Sequence, residues 1–176
     1  SLHFLRHAFF EAPHQAQGMN ARIRPPVRIL CIGSPAEPDN LGFLAAHALM
    51  GRFDPEQVEV LALDRPGPRL IEHMRGADTV ILVDAVISGA APGTLHTLEG
   101  RALDGLVMHH TSTHGFGLAE TLALADRMGE LPPHLKFIGL EAGAQPFAAD
   151  EIAQLAKAVS DTATAVLDSA GKPRQV

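Results

Sequence analysis

Four carboxylates stand at or just beyond the ends of apolar runs. Asp39 follows VRILCIG (27–33), with Glu37 shortly before it and Asn40 after it. Asp64 follows VEVLAL (58–63), Asp84 closes TVILVD (79–84), and Glu141 closes LKFIGLE (135–141). No Lys or Arg lies among them, and Arg65 is the nearest base in sequence. Like charges held close together raise one another's pKa or call in a cation. That cation can be a metal, and two carboxylates then need a third, directional ligand. MHHTSTHGFGLAE (108–120) offers imidazoles at His109, His110 and His114 in a polar, Gly-containing stretch. Imidazole nitrogen with carboxylate oxygen suits Zn, Ni, Fe or Mn better than Ca or Mg. Each residue also has a plainer role. An Asp just ahead of a helix can cap its free N–H groups, and a lone loop His is usually a solvated side chain.

These residues need a scaffold that brings them to one place. VRILCIG ends in Gly and reads as a buried strand. A helix is expected over 41–51, a second strand over 58–63, a short helix over 68–76 and a third strand over 79–84. GTLHTLE (93–99) alternates like an edge strand, helices are expected over 117–129 and 148–168, and the fifth strand spans 135–141. Alternating strands and helices imply βαβ units and a mainly parallel sheet covered on both faces. The expected fold is therefore three-layer α/β, with a twisted, mainly parallel five-stranded sheet. Ligands of such sheets bind beyond the carboxyl ends of the strands, where all four acids fall.

Composition narrows the function. The chain has 176 residues, 46% of them hydrophobic, enough for one domain with a sizeable core. Its net charge is −6, from 14 Lys plus Arg against 20 Asp plus Glu, which argues against a nucleic-acid partner. A single cysteine, Cys31, excludes an intrachain disulfide and favours a reducing, cytoplasmic setting. No apolar stretch is long enough for a membrane span. Few aromatics are available for an interface, so a monomer is expected. Residues 1–26 read as an N-terminal extension or tag remnant plus linker, 27–170 as the domain and 171–176 as a tail. GSPAEPDNLG (33–42) has neither a phosphate-loop Lys nor the glycine spacing of a dinucleotide site. There is no GxSxG elbow, and Cys31 lies inside a strand.

In chain order, VRILCIGSPAEPDNLG, LVDAVISGAAPGTLHTL, TSTHGFGLAETLALA and LKFIGLEAG resemble the hydrogenase maturation proteases, from about residue 27 to about residue 168. The resemblance implies a phosphorylase/hydrolase-like α/β fold. It also implies an endopeptidase that removes the C-terminal extension of a nickel–iron hydrogenase large-subunit precursor after nickel insertion. The family senses the substrate's nickel through two acids and a histidine, and Zn or Cd can stand in for nickel in crystals. Carried over, Asp84 matches the second acid, His114 the histidine, and Asp64 the acid after the second strand. Aligning back from Leu41-Gly42 puts Asp39 at the first acid; aligning forward from Gly33-Ser34 puts Asn40 there. Asp39 is favoured, because an amide is a far poorer metal ligand than a carboxylate. Two other readings are a non-catalytic relative that binds metal or the hydrogenase subunit, and a small-molecule-binding α/β domain.

Overall fold

The computed structural model describes residues 25–36, 39–100, 102–103 and 117–170, together with the backbone of 110–111. Its two most apolar runs form the centre. β1 (Val27–Gly33) is buried throughout, and β3 (Thr79–Ile87) is buried except at Ile87. β2 (Val58–Asp64) flanks β1, and β6 (His134–Glu141) flanks β3. All three contacts among these strands are parallel. β4 (Leu95–Glu99) closes the far edge antiparallel to β6, giving the order β2-β1-β3-β6-β4. A two-residue strand, β5 (His110–Thr111), pairs antiparallel with the end of β3.

The helices are α1 (Leu41–Leu49), α2 (Leu70–Met74), α3 (Leu118–Arg127) and α4 (Ala149–Ala170). From β1 the chain steps outward to β2, then back past β1 to β3. Right-handed crossovers running in opposite directions put their helices on opposite faces. Accordingly α1 and α4 pack on Ile29, Cys31, Ile81, Val83, Ile138 and Leu140. α2 and α3 pack on Leu30, Ile32, Val80, Leu82, Val86 and Phe137. Successive residues of β3 thus serve opposite layers, which is why the strand shows no polar alternation.

Sequence and structure part in four places. β3 runs on to Ile87 instead of ending at Asp84, because β6 pairs with it through Val86↔Glu141 and β5 through Ile87↔His110. β5 falls in a segment read as loop. The strand expected from Gly93 starts at Leu95, since Gly93 has φ +84° and the Thr94 N–H and hydroxyl both donate to the Ala91 carbonyl. The helix expected over 68–76 is a 3-10 turn at Gly67–Arg69 followed by α2, with Pro68 in the first turn, where its missing N–H costs nothing. Among the described residues no helix is long and apolar enough to cross a membrane.

One buried charge ties β1 to α2. Arg28 is 1% exposed, and its Nη1 donates to the carbonyls of His73 (2.6 Å) and Arg75 (2.7 Å) at the end of that helix. Glu59, its register partner on β2, stands 3.5 Å from Nε. A cation at a helix C-terminus satisfies carbonyls that lack intrahelical partners. We expect Arg28→Ala to cost about 3 kcal/mol, because it strands two carbonyls and half of an ion pair. That corresponds to a Tm lower by roughly 6–12 °C in a chain of this size. Arg28→Lys should fall between, since an ammonium lacks the planar fork of a guanidinium. Urea midpoints of the three proteins decide this, and a loss below about 1 kcal/mol for Arg28→Ala would be too small for two stranded carbonyls.

Candidate functional site

Strand order reverses between β1 and β3, so the crevice beyond their carboxyl ends is where an α/β sheet receives a ligand. The β1–β3 register ends at Cys31↔Val83, making Asp84 the first residue of β3 past its pairing with β1. Asp39 reaches the same place from the other side. The Ser34 N–H donates to the Asp39 carbonyl at 2.8 Å, closing the turn after β1. α1 then packs back onto β1 through two glycines. A Cβ at Gly33 would lie 2.6 Å from the Asp39 carbonyl oxygen, and one at Gly42 would lie 2.3 Å from that of Ile32. Asn40 takes the N-cap position of α1, where its carbonyl accepts from Leu44 N–H (3.0 Å) and its side chain makes no cap bond.

Asp84 is 1% exposed. Its Oδ1 accepts the Ala85 N–H at 2.8 Å, and its Oδ2 is buried with no hydrogen-bond partner among the described residues. Burial drives its pKa well above the ordinary carboxylate range. The Ala85 N–H opposes that shift, and the charge of nearby Asp39 adds to it. Asp84 thus does not close its strand, as the sequence suggested: β3 continues past it to Ile87, and the side chain is buried.

The remaining acids separate from this pair. Asp64 is about half exposed and accepts from Arg65 Nε at 2.8 Å. Arg65 adopts φ +42°, uncommon for a residue with a side chain, and its guanidinium feels Asp39 as well as Asp64. Glu141 is 2% exposed and accepts from the Ser88 N–H (2.8 Å), the Ser88 hydroxyl (2.8 Å) and the Gly89 N–H (3.0 Å). His96 Nε2 is 2.9 Å from the same carboxylate. Burial alone would raise the Glu141 pKa, but these donors outweigh it and hold the group below the usual range.

Ser88, His96 and Glu141 have the composition of a hydrolase triad but not its connectivity. Serine and imidazole both bond the carboxylate, so no imidazole stands ready to take the serine proton. Cys31 is no nucleophile either, because burial pushes its thiol up to about 12.

Of the expected site residues, the structure brings Asp39 and Asp84 together and leaves Asp64 beside them, engaged by Arg65. His114, His109 and Glu37, and the His110 side chain, lie outside the described residues. Among those described, no three His, Cys, Asp or Glu side chains form a group able to hold a metal. The two carboxylates are suited to a cation all the same, since an orphaned buried oxygen beside a second acid gains from any positive charge that reaches it. Sequence reasoning missed the Glu141 cluster. Its one signal was LHTLE (95–99), whose alternation puts His96 and Leu98 on a single face of β4.

The buried carboxyl of Asp84 has a pH signature. A folded-state pKa raised above the unfolded value gives stability that is fully present below the unfolded pKa, about 3.9. That stability is lost as pH rises through the folded pKa. At neutral pH the wild type therefore bears a cost that Asp84→Asn escapes. We expect the variant to melt a few degrees higher at pH 7, about 1 kcal/mol moving Tm by roughly 2–4 °C at this size. The gap should close as pH falls toward about 4. Calorimetry across that range checks it; a variant less stable at pH 7, or a gap independent of pH, contradicts the burial argument.

Comparison with known proteins follows the same lines. The family model described as hydrogenase maturation protease (HycI) matches residues 44–169. The hydrogenase expression/formation protein HupD of Thiocapsa roseopersicina is 32% identical over 123 residues, covering 68% of this chain and 56% of that protein. The hydrogenase 2 maturation protease of Escherichia coli is 32% identical over 102 residues, covering 57% of this chain and 62% of that protein. The chain thus spans less than two thirds of the length of these relatives. The solved structure of the hydrogenase maturating endopeptidase HybD from E. coli superposes with a TM-score of 0.66 at 25% identity, over 82% of this chain and 93% of that one. With an α/β sheet of this topology, two acids at its switch point and a family model matched over most of its length, the chain belongs to the hydrogenase maturation protease family.

Proposed function

We propose that this chain is an endopeptidase that removes the C-terminal extension of a nickel–iron hydrogenase large-subunit precursor once nickel has been inserted. Family membership supports the reaction class. The observation that carries the chemistry is the buried Asp84 oxygen without a partner, close enough to Asp39 for their charges to interact. Such a pair is costly alone and is relieved by a cation. Here the cation is substrate: the nickel arrives inside the precursor. Asp39 and Asp84 supply oxygen ligands, and His114, from the segment that includes β5, supplies the nitrogen.

Peptide hydrolysis adds water across the scissile bond, with hydroxide going to the carbonyl carbon and a proton to the leaving amine. No serine or cysteine among the described residues is set up as a nucleophile, so water attacks directly. The role of this chain is to hold the nickel-bearing end so that one peptide bond sits beside the acids. A carboxylate whose pKa lies above the ordinary range is also suited to receive the proton that water gives up. Cleavage then depends on nickel loading, because without the metal the two acids repel any closer approach. The enzyme acts as a cytoplasmic monomer, with its one thiol kept reduced inside β1.

The test compares nickel-loaded with nickel-free precursor. Wild-type protein should cleave only the loaded form. Asp39→Ala, Asp84→Ala and His114→Ala should each lose about 10²-fold or more in kcat/KM, the scale of a misplaced substrate. Wild-type efficiency in Asp84→Ala or His114→Ala removes the assignment, and equal cleavage of nickel-free precursor removes the nickel check.

A further inference from the structure

Glu141 lies on the same face of the sheet as Asp84. It is paired in register with Val86, two residues further along β3. A carboxylate has about four lone-pair sites, and four donors from two other segments engage this one: both backbone N–H groups at Ser88–Gly89, the Ser88 hydroxyl, and His96 Nε2 on β4. Backbone bonds reinforce the junction, since Ala142 N–H donates to the Val86 carbonyl (2.8 Å) and Gly93 N–H to the Glu141 carbonyl (2.9 Å). Glu141 therefore fixes the point at which β3 stops and turns, at Gly89 with φ +87°. The two residues just before that point, Val86 and Ile87, are the ones on which β5 is built, through Val86↔Thr111 and Ile87↔His110. Val86 is packed in the core, whereas Ile87 is 51% exposed, so side-chain packing does little to hold the last residue of the strand.

The geometry points to Glu141 as a positioning residue: by clamping the exit of β3 it presents the fixed edge that aligns β5, the strand from which the chain runs on to His114. This rests on the proposed function for its catalytic consequence, but the clamp itself is a statement about one strand edge and can be tested alone. Glu141 touches neither substrate nor metal. A surface ion pair would not do this work, because its energy is small and screened. A buried carboxylate that accepts from four donors is different, since removing it takes the acceptor from the Ser88 and Gly89 N–H groups.

The experiment uses the full chain with Glu141→Ala and Glu141→Gln. In Glu141→Ala, hydrogen exchange at the one amide of the 110–111 pair that bonds β3 should quicken about 10-fold or more, while Ile81 and Leu82 in the centre of β3 stay protected, as for a local opening. On nickel-loaded precursor, kcat/KM should fall about 10-fold or more. Glu141→Gln keeps an oxygen for the Ser88 and Gly89 N–H groups and should restore both readouts to within about 3-fold. Should Glu141→Ala fail to fold, His96→Ala removes one donor and should loosen the same amide by less. Unchanged exchange at 110–111, or an equal rise throughout β3, overturns the clamp whatever the activity. Failure of the wild type to cleave any precursor counts against the functional reading, and the exchange measurement still decides the clamp.

Discussion

A carboxylate inside an apolar strand is expensive, because the surrounding protein cannot solvate its charge as water does. Asp84 occupies such a position at the centre of the sheet, between residues that serve the two hydrophobic layers. Much of the surrounding architecture bears on that one group. The pairing of β1 with β3 ends one residue before it, at Cys31↔Val83. The turn from β1 to α1 brings a second acid near instead of a base, and Arg65, which feels the charge of that acid, is engaged by Asp64. Proteins commonly relieve a buried charge with an internal partner. This one leaves one oxygen of Asp84 unrelieved among the described residues.

Glu141 is the instructive contrast. It has the same functional group as Asp84, sits on the same face one strand away, and is as thoroughly buried. Yet its pKa moves the other way, because four donors converge on it where Asp84 has one backbone N–H. Burial raises the pKa of an acid and hydrogen-bond donors lower it, and at Glu141 the donors prevail. Two residues before Glu141 on β6 lies Gly139, paired with Asp84 on β3 and with His96 on β4. A Cβ there would strike Val86 and Phe137, so the gap in the row is already filled by apolar atoms from its neighbours.

Much of this could be read from the chain before folding. The runs VRILCIG and TVILV announce buried parallel strands, and the acids that follow them fall at one edge because every parallel strand points the same way. What could not be read depends on partners distant in sequence. Ala85-Val86-Ile87 is as apolar as the residues before Asp84, so nothing local says whether the strand ends at the acid; β6 decides it by pairing through Glu141. β5 has two residues and no pattern of its own, and exists only as a pairing. Glu141 looks like one more acid at the carboxyl edge until Ser88, 53 positions away, turns its N–H toward it. The choice between Asp39 and Asn40 hinged on a one-residue shift. The fold gives Asn40 the helix-capping position and puts the Asp39 charge within reach of Asp84.

The junction of β1 and α1 is made of backbone. At Gly33 and Gly42 the main chains approach so closely that neither position has room for a single methyl group. A joint between side chains can slacken by changing rotamers, whereas one between main chains has no such play. Strand, turn and helix consequently behave as one rigid lever, and Asp39 is fixed to its end. The placement of the Asp39 backbone against β1 is then a property of the scaffold and not of side-chain choice.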